Sequence, residues 1–224
     1  MYYSTVTKTV DRQRRTQDER SSAMRERLLD ATVSCLVDYG YTGTTVTRIA
    51  ERAGVTRGAQ VHHYRTKDDL VTAAVTHLAS ASAELGWAQI AKLADAEDPV
   101  GDLLDFLWEM HKGPTFVAAV ELWVAARTDP ELRKHVGGIE PELMSVFRQV
   151  ADPGVPLEFT PADVVLVESV YTAMDAIRGL LISVWHLPPR QRNARWMRAK
   201  ERLRPIFPPQ ATLVSSLRAA AAVS

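Results

Sequence analysis

Two short helical segments separated by a glycine turn constrain this chain more than any other feature of its sequence. Apolar residues recur at helical spacing up to Val37, and Gly40 then stands where a left-handed residue ends many helices. Thr45 can cap a following short helix that Gly54 would end, and Thr56 can cap another helix two residues later. Two brief helices that meet across such a tight turn form a helix-turn-helix arrangement.

The rest of the sequence carries helix start signals and no sustained strand pattern. Aspartate–proline pairs at 98–99 and 129–130 are typical of helix starts. No segment alternates polar and apolar residues over the length of a strand and ends in a hairpin turn. The sequence therefore predicts an all-α fold, with helices over residues 21–39, 46–53, 57–63, 67–94, 99–111, 114–128, 130–150, 161–186 and 190–206.

Charge divides the chain into three segments, although 27 basic and 27 acidic residues cancel overall. Residues 1–70 hold 12 Lys and Arg against 9 Asp and Glu, residues 71–186 hold 7 against 17, and residues 187–224 hold 8 against 1. A basic head and an acidic middle predict that a polyanion binds the head. For the basic C-terminal stretch, a solvated helix face or a surface for an acidic partner is the simpler interpretation.

Several classes of protein do not fit this sequence. The single cysteine, Cys35, cannot form an internal disulfide, which favours a cytoplasmic location. No segment accumulates the roughly 20 apolar residues of a membrane span, and the N-terminus lacks the apolar core of a signal peptide. The histidines form no i, i+4 pair, and no phosphate loop or nucleophile elbow is present. We therefore expect no metal, no cofactor, no membrane association and no enzymatic activity.

The turn before the third helix places candidate DNA contacts at a helix N-terminus. The major groove of B-DNA admits one helix, whose first turn reaches the base edges. Arg57 is suited to a guanine and Gln60 to an adenine, while Gly58 lets the backbone approach. Short glycine-separated helices also occur in ordinary helical domains, so a purely structural role stays open. Thr56 stands in the same first turn as these residues. Phosphate contacts are expected from the surrounding polar side chains, namely Thr44, Thr45, Thr47, His63, Tyr64 and Lys67.

The run from Leu28 to Val71 resembles the N-terminal domain of TetR-like (tetracycline-repressor-like) transcription regulators. It reads LLDATVSCLVDYGYTGTTVTRIAERAGVTRGAQVHHYRTKDDLV, with the family's order of YG, TTV, IA, AGV, RGA, HHY and DL motifs. The resemblance implies that residues 56–63 form the recognition helix and that Tyr64 and Lys67 anchor phosphates. By the same resemblance, Thr45 and Thr47 lie on the supporting helix.

Three positions depart from the family pattern. Gln60, Val61 and Arg65 stand where the family often has leucine, tyrosine and proline. Which of Arg57, Gln60 and Val61 reads bases therefore stays open at this point.

Residues 121–133 resemble a segment of the C-terminal domains in the same family. The resemblance implies a small-ligand domain and a homodimer formed through the helices over 161–186 and 190–206. The helix over 161–186 is apolar on most of its circumference, which fits burial on two sides, although a central core helix would look the same.

The candidate effector residues are aromatic and apolar, with a few polar groups among them. Such a lining is typical of a pocket for a hydrophobic or aromatic compound. Plain helical core is the alternative for each of these residues. The candidates are Trp108, His111, Phe116, Glu121, Trp123, Arg127, Tyr171, Asp175 and Arg178.

Together these patterns predict a ligand-responsive transcriptional repressor that binds a palindromic operator in double-stranded DNA as a homodimer and is released by a small effector. Two alternatives remain: a helix-turn-helix regulator controlled by a protein partner or by no effector, and a structural helical interaction protein. The expected organisation is a flexible basic arm over 1–20, an N-terminal three-helix DNA-binding domain over 21–68, a C-terminal helical effector-binding and dimerisation domain over 69–207 and a C-terminal tail over 208–224.

Overall fold

The computed structural model describes residues 3–77, 92–137 and 161–221, with the backbone alone for residues 3–18, 59, 61, 162 and 219–221. All regular elements in these ranges are helical, which confirms the all-α prediction. The described residues form two compact units. The head unit contains residues 3–77 and 117–137, and the body unit contains residues 92–116 and 161–221.

The helices begin at residues that the sequence marks well. In chain order they are α1 (Tyr3–Gly43), α2 (Val46–Ala53), α3 (Arg57–His63), α4 (67–77), α5 (Pro99–Met110), α6 (Pro114–Ala126), α7 (Pro130–Val136), α8 (Pro161–Ser183), α9 (Pro189–Leu203), a 3-10 turn (Arg204–Ile206) and α10 (Gln210–Ala221). No helix in the described ranges is long and apolar enough to cross a membrane.

Side-chain caps explain several of these starts. The Asp98 carboxylate accepts a hydrogen bond from the Gly101 amide at 3.1 Å, and Pro99 occupies the first helical position of α5. The Thr66 hydroxyl accepts from the Asp69 amide at 3.0 Å, while the Asp69 carboxylate accepts from the Thr66 amide at 3.2 Å. This reciprocal pair caps the start of α4.

The N-terminal helix differs from the expected one. We predicted a flexible arm over residues 1–20, but the backbone is helical from Tyr3 onward. The helix is interrupted at Gly40, whose φ of 65° and ψ of 178° lie outside the helical region. Glycine tolerates this positive φ because it has no Cβ, so the predicted end of the helix falls at the right residue.

Two differences concern the C-terminal parts of predicted helices, and a third concerns the expected C-terminal tail. The helix expected over 130–150 ends at Val136, where Gly137 caps it, and residues 138–150 lie outside the described ranges. The last residues of the helix expected over 190–206 form a 3-10 turn that contains Pro205. The expected C-terminal tail contains α10, which packs against α5 and α8 through buried Leu213 and Leu217.

Each unit buries its own apolar core. In the head unit α2 packs against α1 and α3, and Leu28, Leu36, Ile49 and Leu70 are fully buried. Residues 117–137 group with this unit, whereas we had predicted a single domain over 69–207. In the body unit α8 packs against α5, α9 and α10, and the core includes Leu104, Trp108, Ile177, Val184, Trp196 and Leu213.

Candidate functional site

Backbone and cap contacts fix the turn between α2 and α3. The Thr45 hydroxyl accepts a hydrogen bond from the Arg48 amide at 3.3 Å and so caps α2. Gly54 ends α2 in the left-handed region, with φ 65° and ψ 37°, and the Val55 amide donates to the Ala50 carbonyl at 3.0 Å. The next helix therefore starts only a few residues later, in the helix-turn-helix arrangement that the sequence predicted.

The first turn of α3 faces solvent. Thr56, Arg57 and Gly58 are all exposed, and a Cβ added at Gly58 would meet nothing within 4 Å. Thr45 and Thr47 at the start of α2 are also exposed. The predicted base-reading position Arg57 and these two predicted phosphate contacts are thus open to a ligand within the head unit.

Gln60 does not share that exposure. Its side chain is fully buried, and its Nε2 atom donates a hydrogen bond to the Tyr64 carbonyl at 2.8 Å. In this conformation the amide is turned into the helix and away from solvent, so the predicted adenine contact needs correction. The side chain of Val61 lies outside the described part of the structure.

Thr44 also has a structural role in place of the predicted phosphate contact. It is fully buried, and its hydroxyl donates to the Gly40 carbonyl at 2.7 Å. This bond closes the short turn that follows the break in α1.

Arg48 was missed by the sequence reasoning. This exposed residue lies on the first turn of α2, its guanidinium stacks 4.7 Å from the centroid of the Tyr39 ring, and its Nη1 donates to the Gly43 carbonyl. A basic residue three positions after the Thr45 cap was the signal that could have identified it.

His63 and Tyr64 are half-buried at the end of α3. Burial, together with the neighbouring His62 and Arg25, lowers the pKa of the His63 imidazole. Burial raises the pKa of the Tyr64 phenol, while Arg25 acts in the opposite direction. His63 and Tyr64 are therefore uncharged at neutral pH and can donate hydrogen bonds to a phosphate.

Lys67 combines a possible phosphate role with a structural one. Its Nζ atom donates to the Tyr41 carbonyl at 2.6 Å and lies 3.6 Å from the centroid of the Tyr41 ring. The Tyr41 hydroxyl in turn donates to the Asp68 carboxylate at 2.5 Å. Burial lowers the pKa of the Lys67 ammonium. This lysine thus holds the segment after Gly40 against the start of α4.

Three of the predicted effector residues lie in the head unit. Glu121 is half-buried, and its Oε2 atom accepts a hydrogen bond from the Tyr41 amide at 3.3 Å. A Cβ added at Gly40 would lie 2.8 Å from the same oxygen. The carboxylate therefore braces the break in α1, which corrects its assignment to an effector pocket. Trp123 and Arg127 are exposed on and just after α6.

In the body unit, His111 brings together other predicted effector residues. Its Nδ1 atom lies 2.7 Å from the Leu107 carbonyl and its Nε2 atom lies 3.3 Å from Arg178 Nε, while its ring makes an edge contact with Phe116. Both the carbonyl and the guanidinium fix the tautomer, so Nδ1 donates and Nε2 accepts. Burial lowers the pKa of His111 to about 4, with the Arg178 charge acting in the same direction.

Asp175 extends this cluster towards solvent. One of its carboxylate oxygens lies 3.4 Å from Arg178 Nη1, and the aspartate side chain is 76% exposed. The uncharged imidazole, the phenyl ring and the guanidinium form the His111 cluster, defined here as His111, Phe116, Asp175 and Arg178.

Trp108 belongs to the core. It is 2% exposed and stacks on Trp196, with ring centroids 4.8 Å apart and an interplanar angle of 3°. Trp196 Nε1 donates to Asp105 at 2.8 Å, and Lys200 Nζ donates to the other oxygen of the same carboxylate at 2.6 Å. The predicted effector role of Trp108 is thus replaced by core packing, while Tyr171 is half-buried on α8.

Among the residues that the structure describes, no group of three or more His, Cys, Asp or Glu side chains is placed to hold a metal ion. Cys35 is fully buried, and burial raises the pKa of its thiol. The thiol is therefore protonated and unreactive at neutral pH.

Comparison with known proteins supports the class that this geometry defines. Residues 28–74 match the family described as bacterial regulatory proteins, tetR family. The HTH-type transcriptional regulator CymR of Pseudomonas putida is 36% identical over 123 residues, which are 55% of this chain and 61% of CymR. The chain therefore spans less than two thirds of that relative. The HTH-type transcriptional repressor AcnR of Corynebacterium diphtheriae is 27% identical over 147 residues, 64% of this chain and 73% of AcnR.

Solved structures show the same fold over most of the chain. A TetR family member from Streptomyces coelicolor A3 is 24% identical, with a TM-score of 0.55 over 83% of this chain and 99% of that one. The multidrug binding protein EbrR, complexed with ethidium, is 23% identical, with a TM-score of 0.54 over 83% of this chain and 99% of that one.

The fold and the turn between α2 and α3 thus define a helix-turn-helix regulator. Over residues 28–74 and in its helical fold, the chain is similar to TetR-like transcription regulators. Its relatives are named as regulators and repressors, which confirms the expectation that the chain is not an enzyme.

Proposed function

We propose that this protein is a ligand-responsive repressor that binds a palindromic operator as a homodimer. The observation that carries the proposal is the exposed N-terminal turn of α3, with Arg57 and Gly58 open to solvent after a capped helix and a left-handed glycine. A regulator of this kind works in the cytoplasm, where double-stranded DNA is its partner.

The head unit supplies two kinds of DNA contact in this account. Arg57 reads a guanine through a bidentate hydrogen bond, because an exposed guanidinium at the start of a recognition helix matches the O6 and N7 acceptors. Thr45, Thr47 and Arg48 bind phosphates from the exposed start of α2. Gly58 allows the α3 backbone to lie close to the groove floor.

A homodimer explains an exposed apolar surface on the body unit. Val164, Val165, Val167 and Ile182 on α8 are 40–46% exposed, and Trp185 just beyond the helix is 42% exposed. Large apolar side chains grouped on one helix are typical of an interface. A second copy related by a two-fold axis buries them in a self-complementary contact and presents two heads to successive major grooves about 34–36 Å apart.

The His111 cluster is our candidate contact for the effector. Phe116 and the uncharged His111 ring provide aromatic surface, while Arg178 and Asp175 provide polar groups near it. Such a combination suits a small hydrophobic or aromatic compound. The complex of EbrR with ethidium, an aromatic molecule, supports the same class of effector for this chain.

Release from DNA requires that the effector bind two states of the dimer with different affinity. The shift in DNA binding can be no larger than that difference. A tenfold loss of operator affinity corresponds to about 1.4 kcal/mol of coupling between the two sites.

The test is salt-dependent binding of the purified protein to DNA immediately upstream of its own gene, with random DNA of equal length as competitor. We expect preferential binding to one palindromic segment, with an affinity that falls as salt rises. If that DNA shows no preference, selection from genomic fragments follows. Failure to enrich any palindrome in that selection would contradict the proposal.

Effector response is tested on the selected operator. A panel of small aromatic compounds is screened for release of the protein from the DNA, and hits are checked by thermal melting. We expect active compounds to lose their effect in Phe116→Leu, which removes the aromatic ring but keeps an apolar side chain at this buried position, while operator affinity without compound stays unchanged. Release that is insensitive to this substitution would contradict the assignment of the His111 cluster.

A further inference from the structure

Helix α9 carries an arginine stripe, defined here as Arg195, Arg198 and Arg202. Arg198 and Arg202 follow Arg195 by three and seven residues, which places the three side chains on one side of the helix. All three are exposed, and they make no hydrogen bond or ion pair with the residues that the structure describes. The opposite side of α9 is buried through Trp196 and Lys200. The stripe is therefore a cationic surface with no counter-charge among the described residues.

Helix α8 carries an acid pair, defined as Glu168 and Asp175, on its solvent-facing side. Both residues are exposed and seven residues apart along the helix, and the Asp175 carboxylate also lies 3.4 Å from Arg178 Nη1 on the same helix while staying 76% exposed. Exposed Val164 and Ile182 lie at either end of the same face, at 46% exposure each. The acid pair is thus set within the apolar surface that we assign to the dimer.

The two charged sets have matching dimensions. Seven residues of an α-helix rise about 10.5 Å, so Arg195 and Arg202 are spaced like Glu168 and Asp175. Because the two spacings are equal, the charges can face each other whether the two helices run parallel or antiparallel. Opposite charges in register across a helix pair are the devices that set partner choice and orientation in helical assemblies.

We infer that the arginine stripe of one subunit pairs with the acid pair of a second copy of this chain. The inference rests on the homodimer proposed above and specifies how its two copies recognise each other. A two-fold contact forms each charge pair twice.

Repulsion excludes the simplest alternative packing. If α9 faced its own symmetry mate, the two arginine stripes would meet, and like charges brought together cost interaction energy. Contact of α9 with the acidic face of α8 from the other subunit removes that cost. The same arrangement disfavours pairing with related regulators that lack the acid pair.

The test uses two charge-reversal variants of the full chain. We make Arg195→Glu with Arg202→Glu, and separately Glu168→Lys with Asp175→Lys, and measure dimer dissociation by sedimentation at low salt. We expect each variant alone to dimerise at least tenfold more weakly, while an equimolar mixture forms a heterodimer with nearly wild-type affinity. The matched control is Arg190→Glu, which changes an exposed arginine of α9 outside the stripe and should leave the dimer unchanged.

Several results would overturn the inference, and each is separable from failure of the proposed function. A monomeric wild type would contradict the homodimer itself. A dimeric wild type whose variants keep its dissociation constant, or whose mixture is not rescued, would contradict only the charge pairing. If the variant with Arg195→Glu and Arg202→Glu stays dimeric but loses affinity for random DNA, the stripe contacts nucleic acid and not a second subunit. Thermal melting of each variant checks that the subunit is folded.

Discussion

The contacts that fix the turn between α2 and α3 differ from the polar contacts of the body unit in how far apart in sequence their partners are. In the turn, partners are close in sequence: Thr45 caps the amide of Arg48, and Gly54 closes onto the preceding turn of its own helix. In the body unit, Asp105 meets Trp196 across 91 residues, and Asp98 meets Arg204 across 106. Local chemistry specifies the surface proposed to meet DNA, whereas the body depends on contacts that only the complete fold creates.

The largest expected effect is on the free energy of unfolding, and it tests whether Trp108 belongs to the core or to an effector pocket. Trp108→Ala removes a buried ring stacked on Trp196, and large-to-small changes of this kind cost about 3–5 kcal/mol of unfolding free energy. Trp123→Ala, at a tryptophan that is 38% exposed, is the control and should cost about 1 kcal/mol or less. Chemical denaturation measures both. A Trp108→Ala protein of wild-type stability that no longer responds to effector would contradict the core assignment.

The next effect concerns the ion pair between Asp98 and Arg204, which lie 106 residues apart in the sequence. Asp98→Ala removes the cap of α5 and the bidentate partner of Arg204, and we expect a loss of about 1–2 kcal/mol because the pair is partly exposed. Asp102→Ala is the matched control, at an exposed acidic residue in the same first turn.

The stability loss expected for Asp98→Ala depends on pH. The Arg204 guanidinium, opposed by partial burial, holds the pKa of Asp98 at about 2, below its usual value of 3.8. The carboxylate therefore contributes stability above about pH 4, and that contribution is lost as the pH falls towards 2. The stability difference between wild type and Asp98→Ala should narrow over this range. A difference that stays constant would show that the ion pair adds nothing beyond the cap.

A smaller effect is expected at the brace of the α1 break. Glu121→Ala removes the acceptor of the Tyr41 amide and should cost about 1 kcal/mol in the head unit. Glu121→Gln keeps an acceptor oxygen and should recover most of that loss. Hydrogen exchange at the Tyr41 amide measures the effect directly. Unchanged protection in Glu121→Ala would argue against the brace.

The smallest stability change is expected for Gln60→Leu. The buried amide donates to the Tyr64 carbonyl, but its Oε1 atom has no hydrogen-bond partner among the residues that the structure describes. Leucine removes that unsatisfied acceptor along with one hydrogen bond, so the two effects should nearly cancel to within about 1 kcal/mol. Operator sequence preference should not change. Loss of preference for an adenine at one operator position would restore Gln60 as a base reader.

Sequence reasoning predicted most of the fold because caps and breaks are local. The helix ends fall where expected: Thr45 and Gly54 cap the two ends of α2, and Asp98 caps the start of α5. Gly40 interrupts α1 at the predicted place. The site was harder to predict. Periodicity could not distinguish an exposed Gln60 from a buried one, since a seven-residue helix leaves its orientation to tertiary packing. The same limit applies to Trp108 and Glu121, whose partners lie on distant segments.

The measurement that tests the central claim most directly is the ratio of operator to random-DNA affinity for wild type and Arg57→Ala, with Thr47→Ala as a phosphate-contact control. We predict that Arg57→Ala lowers this ratio by roughly tenfold or more, as expected for loss of a bidentate base contact worth about 1–3 kcal/mol. Thr47→Ala should weaken both affinities alike and leave the ratio unchanged. An Arg57→Ala protein that keeps the wild-type ratio would contradict the assignment of the α3 N-terminus as the sequence reader.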